Sequence, residues 1–197
     1  MSSPKCNILI PNQILTIDDF CTSAECQDFI QRAERVGFDE APITTATGFV
    51  RRPSVRNNTR VMIDDPDLAE SLWERVRSFI PAELEGCVPV GLNERFRFYR
   101  YDENQFFAPH YDGCFRRPNG EESLLTLMVY LNEDFVGGET RFDLKFPHPD
   151  ISILPKEGMV LCFFHYLRHE GAPVGMGRKY VLRTDVMFRK IKTDTSQ

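Results

Sequence analysis

The sequence of 197 residues has little of what would place it among membrane, secreted or nucleic-acid-binding proteins. No stretch approaches the roughly 20 apolar residues of a membrane-spanning helix, and the N-terminus lacks the apolar run of a secretory signal. The six cysteines form no C-x-x-C pair, so neither a zinc finger nor a dense disulfide framework is predicted. A basic excess is also missing, because the net charge is −5. We therefore expect a cytoplasmic protein with reduced thiols and with neither a nucleic-acid nor a membrane partner.

Length and composition favour one domain. A chain of this length can form one well-buried core but hardly two, and no repeat or Gly/Ser linker divides it. The 16 phenylalanines suit a core built from strands. We expect a single domain over residues 1–197, with helical support over about residues 14–90 and a β-rich core over about residues 91–190.

Two helices are predicted in the first half of the chain. Thr22 and Glu25 have the spacing of a capping box, and Gly37 stands where a helix stops. A second helix is predicted to begin at Pro66, at the first helical position, and to end before Pro81. The apolar faces of the two helices are predicted to bury Cys26, Phe29, Ile30, Ala33 and Val36, and Leu68, Leu72, Val76, Phe79 and Ile80.

From residue 93 onward the apolar pattern changes to that of strands. Strands are predicted over residues 94–101, 124–131, 158–164 and 180–188. Residues 41–58, which separate the two helices, are predicted to form a long, mobile loop. Helices followed by strands indicate an α+β domain in which the helices brace one face of a β-sandwich or barrel.

A pair of potential metal ligands stands in the strand-rich half. His110 and Asp112 are two residues apart, and on an extended strand such side chains point to the same side. A histidine from a distant strand would complete a 2-His-1-carboxylate face, which suits non-haem Fe(II) because it leaves coordination positions open. His165 and His169 are both candidates for that third ligand. The same His-x-Asp pattern also fits a polar turn, since Gly113 follows at once.

The segment that begins at the second of these histidines resembles a known family. It reads His169-Glu-Gly-Ala-Pro-Val-Gly-Met-Gly-Arg-Lys179, and the chain from about residue 14 to 189 resembles the 2-oxoglutarate/Fe(II) oxygenases of the prolyl 4-hydroxylase type. In that family the distal metal histidine opens a segment of this form, and the basic residue ten positions on binds the far carboxylate of 2-oxoglutarate. The resemblance therefore implies that His110, Asp112 and His169 are the metal ligands and that Lys179 binds the cosubstrate.

Two other segments extend the resemblance. Residues 101–110 look like the family's tyrosine-led segment before the first ligand, and residues 125–140 look like its next strand and turn. The resemblance makes Tyr130 a hydroxyl donor to the far carboxylate, with Thr126 close by, and Tyr101 a further pocket residue. Ordinary core packing is the alternative for both tyrosines. The implied fold is a double-stranded β-helix, a jelly-roll or cupin-like β-sandwich barrel braced by the N-terminal helices.

The resemblance also implies the reaction. Such an oxygenase binds Fe(II), consumes 2-oxoglutarate and O₂, releases succinate and CO₂, and hydroxylates an unactivated C–H bond, with ascorbate as an optional further cofactor. The alternatives are a non-catalytic metal-binding β-sandwich protein and a zinc hydrolase with the same three ligands. Neither alternative needs Lys179 at the far end of a dianion pocket.

The sequence leaves two classes of substrate open, a prolyl residue of a protein and a free amino acid or other small metabolite. Alternation along a strand places Arg183 and Asp185 on the same side as Lys179, and Arg97 on the side of Tyr101. One interpretation is that these buried charges satisfy one another. The other is that Arg183 and Arg97 line the pocket beside the iron and bind a polar or carboxylate-bearing substrate.

Overall fold

The computed structural model describes residues 3–45, 48–145 and 148–191. The helices are α1 (Ser23–Val36) and α2 (Pro66–Val76), and a 3₁₀ turn, Arg77–Phe79, continues α2. In chain order the strands are β1 (Lys5–Ile10), β2 (Ile14–Asp18), β3 (Asp39–Glu40), β4 (Ile43–Thr45), β5 (Gly48–Val50), β6 (Thr59–Asp64), β7 (Cys87–Leu92), β8 (Arg95–Tyr101), β9 (Phe107–His110), β10 (Glu122–Tyr130), β11 (Val136–Gly137), β12 (Thr140–Phe142), β13 (Ile151–Ile153), β14 (Val160–Phe164), β15 (His169–Gly171), β16 (Val174–Met176) and β17 (Lys179–Lys190).

The strands form one large and one small sheet. The large sheet has nine strands in the order β1-β2-β14-β10-β17-β8-β6-β3, and β7 pairs with the C-terminal part of β17. The small sheet has four strands in the order β13-β12-β15-β9, and β4 with β5 and β11 with β16 form separate pairs. Because β17 pairs with β10, β8 and β7, it is the strand around which the large sheet is organised.

The two faces of the large sheet pack against different layers, because side chains alternate along each strand. Phe96 and Phe98 of β8 lie in the core that also contains Leu72 of α2. Tyr101 of the same strand lies in the second core, with Phe142 of the small sheet. The predicted α+β sandwich with helices on one face is therefore confirmed. The described sheets do not close into the barrel that was also expected.

Helix α1 begins at the predicted capping box and is tied to α2 by an ion pair. The Thr22 hydroxyl accepts from the Glu25 N–H at 3.2 Å, and the Glu25 carboxylate accepts from the Thr22 N–H at 2.8 Å. The same carboxylate pairs with Arg75 of α2 at 2.6 Å. Val36, in the last turn of α1, is 61% exposed, so its predicted burial is wrong.

The region that was predicted to be helical support and loop contains more strand than expected. Residues 41–58 include the antiparallel hairpin of β4 and β5, whereas residues 46 and 47 lie outside the described residues. Residues 14–90 also contain β2, β6 and part of β7. Strands of two or three residues are too short to show an alternating pattern, and for this reason the hairpin was not predicted.

The four predicted strands correspond to β8, β10, β14 and β17, with ends that differ by up to two residues. The α-helical part of α2 ends at Val76, before the predicted end, and the 3₁₀ turn leads to the buried Ile80. Neither described helix has the length and apolar character that crossing a bilayer requires.

Thr22→Ala is expected to lower the free energy of unfolding by about 1 kcal/mol, because it removes the cap of the Glu25 N–H. Urea unfolding followed by circular dichroism measures the change. Ser23→Ala, at the next and exposed position, is the matched control and should change stability by no more than a few tenths of a kcal/mol. Equal losses in the two variants would contradict the role of the cap.

Candidate active site

Two histidines face each other across paired strands of the small sheet. Strands β9 and β15 are antiparallel, and His110 is the register partner of His169. The potential ligand atoms of His110, Asp112 and His169 all lie within 4.8 Å of one another. Each histidine Nε2 is 3.7 Å from a carboxylate oxygen of Asp112. The three residues therefore lie close together. Asp112 was expected on the same strand as His110, but it lies past the end of β9.

Backbone carbonyl groups fix which nitrogen of each ring faces the cluster. His110 Nδ1 is 2.9 Å from the carbonyl oxygen of Ala108, and His169 Nδ1 is 3.0 Å from that of Leu167. A carbonyl only accepts hydrogen bonds, so each Nδ1 carries the proton and each Nε2 presents a lone pair to the cluster. Phe107 stacks on His110, with 3.5 Å between ring centroids, and restricts its rotation.

Burial and nearby charges keep the three groups in the protonation states that a metal ion requires. Burial and the neighbouring His169 lower the pKa of His110 to about 3, and burial lowers the pKa of His169. Burial alone would raise the pKa of Asp112, but Arg183 and the two histidines hold it well below its ordinary value. At neutral pH the site therefore offers two neutral imidazoles and one carboxylate, the forms that bind a metal.

The carboxylate of Asp112 is held from the large sheet. Thr126 of β10 donates its hydroxyl to Oδ2 at 2.6 Å, and Nη2 of Arg183 on β17 lies 3.3 Å from the same oxygen. The guanidinium group of Arg183 also pairs with Asp185 at 3.0 Å. These contacts compensate a buried negative charge and fix its direction, which a metal ligand requires.

A buried lysine lies at the other end of the same pocket. Lys179 of β17 is 2% exposed, and its Nζ donates to the carbonyl oxygen of Gly138 at 2.5 Å. The ring centroids of Tyr101 and Tyr130 are each 5.3 Å from this nitrogen. Burial lowers the pKa of Lys179 to about 7, against the opposing effect of Glu139. Within the described ranges no carboxylate lies within ion-pair distance of Nζ, so the lysine is available to an anion.

Two hydroxyl groups lie at the lysine end. The Tyr130 and Thr140 hydroxyl oxygens are 2.7 Å apart, and Thr140 lines the pocket together with Lys179. Burial raises the pKa of Tyr130 well above its ordinary value, so the phenol stays neutral and can donate. A cation and neutral hydroxyl groups at one end of a pocket suit a carboxylate group.

The comparison with known families agrees with this arrangement. The model described as the 2OG-Fe(II) oxygenase superfamily matches residues 96–184, which contain the metal cluster and the lysine. The match and the site together make the protein an oxygenase that resembles the 2OG-Fe(II) family, and the relatives that it matches are prolyl 4-hydroxylases.

Three relatives define how far the similarity extends. A protein of Acanthamoeba polyphaga mimivirus, provisionally named a prolyl 4-hydroxylase, is 24% identical over 201 residues, which cover 92% of this chain and 76% of that protein. Prolyl 4-hydroxylase 1 of Arabidopsis thaliana is 24% identical over 136 residues, or 67% of this chain, and the match spans 47% of the Arabidopsis protein. A prolyl hydroxylase of Trichoplax adhaerens, solved with a hypoxia inducible factor peptide fragment, has a TM-score of 0.72 at 18% identity and covers 91% of this chain and 86% of that one. The last similarity concerns the fold.

The residues of this oxygenase fit the iron and 2-oxoglutarate that the matched family implies. Two imidazoles and a carboxylate on one side of a metal leave other positions open, as non-haem Fe(II) chemistry requires. Lys179, buried and without a carboxylate partner among the described residues, suits the second carboxylate of a dianion. The residues at one end of the pocket thus suit Fe(II), and Lys179 at the other end suits 2-oxoglutarate.

The structure shows where His165 and Arg178 lie, two residues whose roles the sequence left open. His165 lies outside the metal cluster, with Nε2 3.8 Å from Asp185 and both ring nitrogens without a hydrogen-bond partner in the described chain. Arg178 points away from the pocket and pairs with Asp102 at 2.5 Å, whereas Lys179 points inward. The prediction from alternation that these two neighbouring side chains point to opposite sides is therefore confirmed, whereas the choice of Lys179 as the inward one came from the resemblance.

Thr126 was expected beside the far carboxylate, and the structure places it differently. Its hydroxyl contacts Asp112 at the metal end, whereas Thr140 lies beside Tyr130 at the lysine end. Sequence reasoning gave Thr140 no role, although it belongs to the segment that resembles the family's strand and turn. Thr126 and Tyr130 are four residues apart on β10, so they share a face but lie about 13 Å apart along the strand.

The two arginines proposed for the substrate differ in position. Arg183 lines the pocket and contacts both Asp112 and Asp185. Arg97 pairs with Asp185 at 3.1 Å and is not among the described residues that line the pocket. The sequence left two alternatives for Arg183, that it pairs with another buried charge or that it lines the pocket. The structure shows that it does both.

Replacing His110, Asp112 or His169 by alanine is expected to weaken Fe(II) binding by at least about 100-fold, because each replacement removes a donor from a three-donor site. Equilibrium dialysis under anaerobic conditions, with iron measured by atomic absorption, gives the affinities. His165→Ala removes an equally buried histidine and should keep the iron. Iron loss in His165→Ala together with retention in His169→Ala would show that the distal ligand is wrongly assigned.

Proposed function

We propose that this oxygenase couples the oxidative decarboxylation of 2-oxoglutarate to the hydroxylation of an unactivated C–H bond. In the balanced reaction, 2-oxoglutarate, O₂ and the substrate give succinate, CO₂ and the hydroxylated substrate. The observation that carries the proposal is one pocket with a His-Asp-His cluster at one end and, at the other, a buried lysine that has no carboxylate partner among the described residues. A zinc hydrolase or a structural metal site has no use for that lysine.

The chain's own residues divide the work between the two ends. His110, Asp112 and His169 would hold Fe(II), which when bound supplies the redox chemistry that activates O₂. Lys179 would hold the far carboxylate of 2-oxoglutarate as a charge-assisted hydrogen-bond donor. The Tyr130 hydroxyl, bonded to Thr140, would add a neutral donor nearby.

Apolar side chains shield the space between the two ends. Met128 and Val181 line the pocket, and Phe107 covers His110. An apolar lining excludes water, which strengthens the electrostatic contacts inside the pocket and protects reactive species from side reactions. Sheltering the oxidation and orienting the two reactants are thus the contributions of the protein.

The use of ascorbate and a cytoplasmic location stay predictions from the sequence. Succinate release measured with and without ascorbate shows directly how much ascorbate contributes to turnover.

The Trichoplax relative was solved with a peptide fragment. By analogy, a prolyl residue is one substrate class for this oxygenase, beside a free amino acid or another small metabolite.

Anaerobic titration of the Fe(II)-loaded protein with 2-oxoglutarate tests the proposed function. A weak visible charge-transfer band should appear at a 1:1 ratio, and admission of O₂ should then produce succinate. A zinc hydrolase or a non-catalytic metal-binding protein would show neither. The Asp112→Ala variant is the matched negative control.

Lys179→Met is expected to weaken 2-oxoglutarate binding by about 2–5 kcal/mol, because the far carboxylate would lose its cation in a buried site. Anaerobic calorimetry on the Fe(II)-loaded protein measures the affinity. Arg178→Met removes the neighbouring, exposed charge and should have little effect. A normal affinity in Lys179→Met, with the loss in Arg178→Met instead, would move the role by one residue.

The binding of 2-oxoglutarate is expected to take up a proton at pH 8. Burial lowers the pKa of Lys179 to about 7, so most of the free site is neutral at pH 8, and an incoming carboxylate favours the charged form and raises the pKa. Calorimetry of the Fe(II)-loaded protein in two buffers of different ionisation enthalpy gives the proton number. The affinity should fall as the pH rises above 7. Lys179→Arg, which stays charged, should show no uptake, and an absence of uptake in the unmodified protein would contradict the prediction.

A further inference from the structure

A second cavity, separate from the metal pocket, lies beside the segment that follows β5. It has a volume of about 180 Å³, and its lining comes from this segment and from the end of β3. Glu40, Arg51 and Arg52 are exposed and form its rim, whereas Arg56 and Asn58 are buried. The cavity is therefore open to solvent on one side and has room for several water molecules or for one small ligand.

Positive charge exceeds negative charge in this cavity. Three guanidinium groups, those of Arg51, Arg52 and Arg56, line it, and the carboxylate among its described lining residues is that of Glu40. Glu40 pairs with Arg51. Across residues 3–45, 48–145 and 148–191, no carboxylate lies within ion-pair distance of Arg52 or Arg56. Two positive charges therefore have no counter-charge in the described part of the chain.

One helical turn places two of these arginines on the same side. The N–H groups of Val55 and Arg56 both donate to the Arg52 carbonyl, at 2.8 and 2.9 Å. Arg52 and Arg56 are four residues apart, and side chains at this spacing in a helical turn are neighbours. Because like charges at this spacing repel each other, an anion between the two groups would stabilise the turn.

Arg56 is buried and lacks a hydrogen-bond acceptor. It is 6% exposed, its Nε donates to Oδ1 of Asn58 at 2.7 Å, and its Nη2 is buried without a hydrogen-bond partner in the described chain. The ring centroids of Tyr99 and Phe107 lie 4.6 and 4.3 Å from its guanidinium carbon. The rings compensate part of the charge but offer no oxygen acceptor. Since a buried donor without an acceptor is costly and rare, an anion in the cavity would give this guanidinium group what the described chain does not provide.

Contacts with β9 hold Arg56 in place before any ligand binds. Arg56 forms a β-bridge with Phe107, and the Ala108 N–H donates to the Val55 carbonyl at 2.8 Å. A cation on a fixed backbone, stacked on two rings, loses little conformational freedom when it binds a ligand. The position of the cation is therefore largely set in the free protein.

We propose that this cavity binds a phosphate group, either the free ion or a group carried by a small molecule. A phosphate group has a charge of about −1.5 to −2 at pH 7, which matches the two uncompensated guanidinium groups. Arginine donates to phosphate oxygens through paired hydrogen bonds, and a carboxylate would bring only one charge. The Phe107 ring lines the metal pocket and stacks on Arg56 from that side, so the phosphate site is distinct from the site of oxidation and does not depend on the proposed function.

Calorimetric titration of the whole chain with inorganic phosphate tests the site, at pH 7, at about 0.15 M salt and without iron, which binds phosphate itself. We expect saturable binding at a 1:1 ratio, and binding of acetate at least about 10-fold weaker because acetate has half the charge. Glycerol 3-phosphate distinguishes the two sources of the group, since the tighter of the two phosphate compounds shows whether the free ion or a phosphate ester is preferred. Absence of saturable phosphate binding, or acetate binding of equal affinity, would overturn the proposal.

Arg56→Met is the decisive variant. We expect it to weaken phosphate binding at least about 10-fold, the lower range for the loss of a hydrogen bond to a charged group, whereas Arg56→Lys should retain part of the affinity. Arg52→Met removes an exposed cation from the same cavity and should weaken binding roughly 2- to 5-fold. Arg35→Met removes an exposed arginine of α1 outside the cavity and is the matched control with unchanged affinity. If Arg56→Met does not fold, as judged by its thermal midpoint, an unaltered affinity in both Arg56→Lys and Arg52→Met would overturn the proposal.

Binding in the metal pocket is the rival explanation, because Lys179 is a second buried cation that suits an anion. Lys179→Met should leave the affinity for phosphate unchanged if the anion binds at Arg56. Loss of phosphate binding in Lys179→Met, with normal affinity in a folded Arg56→Met protein, would overturn the proposal. Failure of 2-oxoglutarate to bind would refute the proposed function alone, since the phosphate titration does not involve that pocket.

Discussion

The compensation of one buried carboxylate, that of Asp112, is the constraint on which the pocket depends. Asp112 follows β9 of the small sheet, but the hydrogen bond from Thr126 and the ion pair with Arg183 come from the large sheet. A buried charge that loses its partners is strongly destabilising, so the two sheets must hold their relative position. The same contact between the sheets sets the distance from the histidines to Lys179.

Much of this arrangement could be predicted from the sequence where the physics is local. The capping box of α1 depends on two residues three positions apart, and both hydrogen bonds are present. The opposite directions of the Lys179 and Arg178 side chains follow from alternation between neighbouring residues. The resemblance to the oxygenase family supplied what alternation could not, namely the choice of His169 over His165.

What could not be predicted depends on register and on contacts between distant segments. Side-chain parity gave the face of Thr126 but not its position along the pocket, which is set by its pairing with Asp185 on β17. Arg56 lies in a segment with no periodic pattern, and its bridge to Phe107 brings it against the rings of Phe107 and Tyr99. The hairpin of β4 and β5 was not predicted either, because such short strands show no alternating pattern. Local rules therefore identified the chemical groups of the site, and the fold determined how these groups are arranged.

The stacking of Phe107 on His110 has a consequence for iron supply. A substrate that packs against Phe107, which lines the pocket, also restricts the ring of a metal ligand. Binding equilibria linked in this way are reciprocal, so a substrate that tightens iron binding is itself bound more tightly, by the same factor, when iron is present. At a fixed concentration of iron, a rise in substrate would then increase the fraction of protein that is metallated, and substrate abundance would help to set how much active enzyme exists.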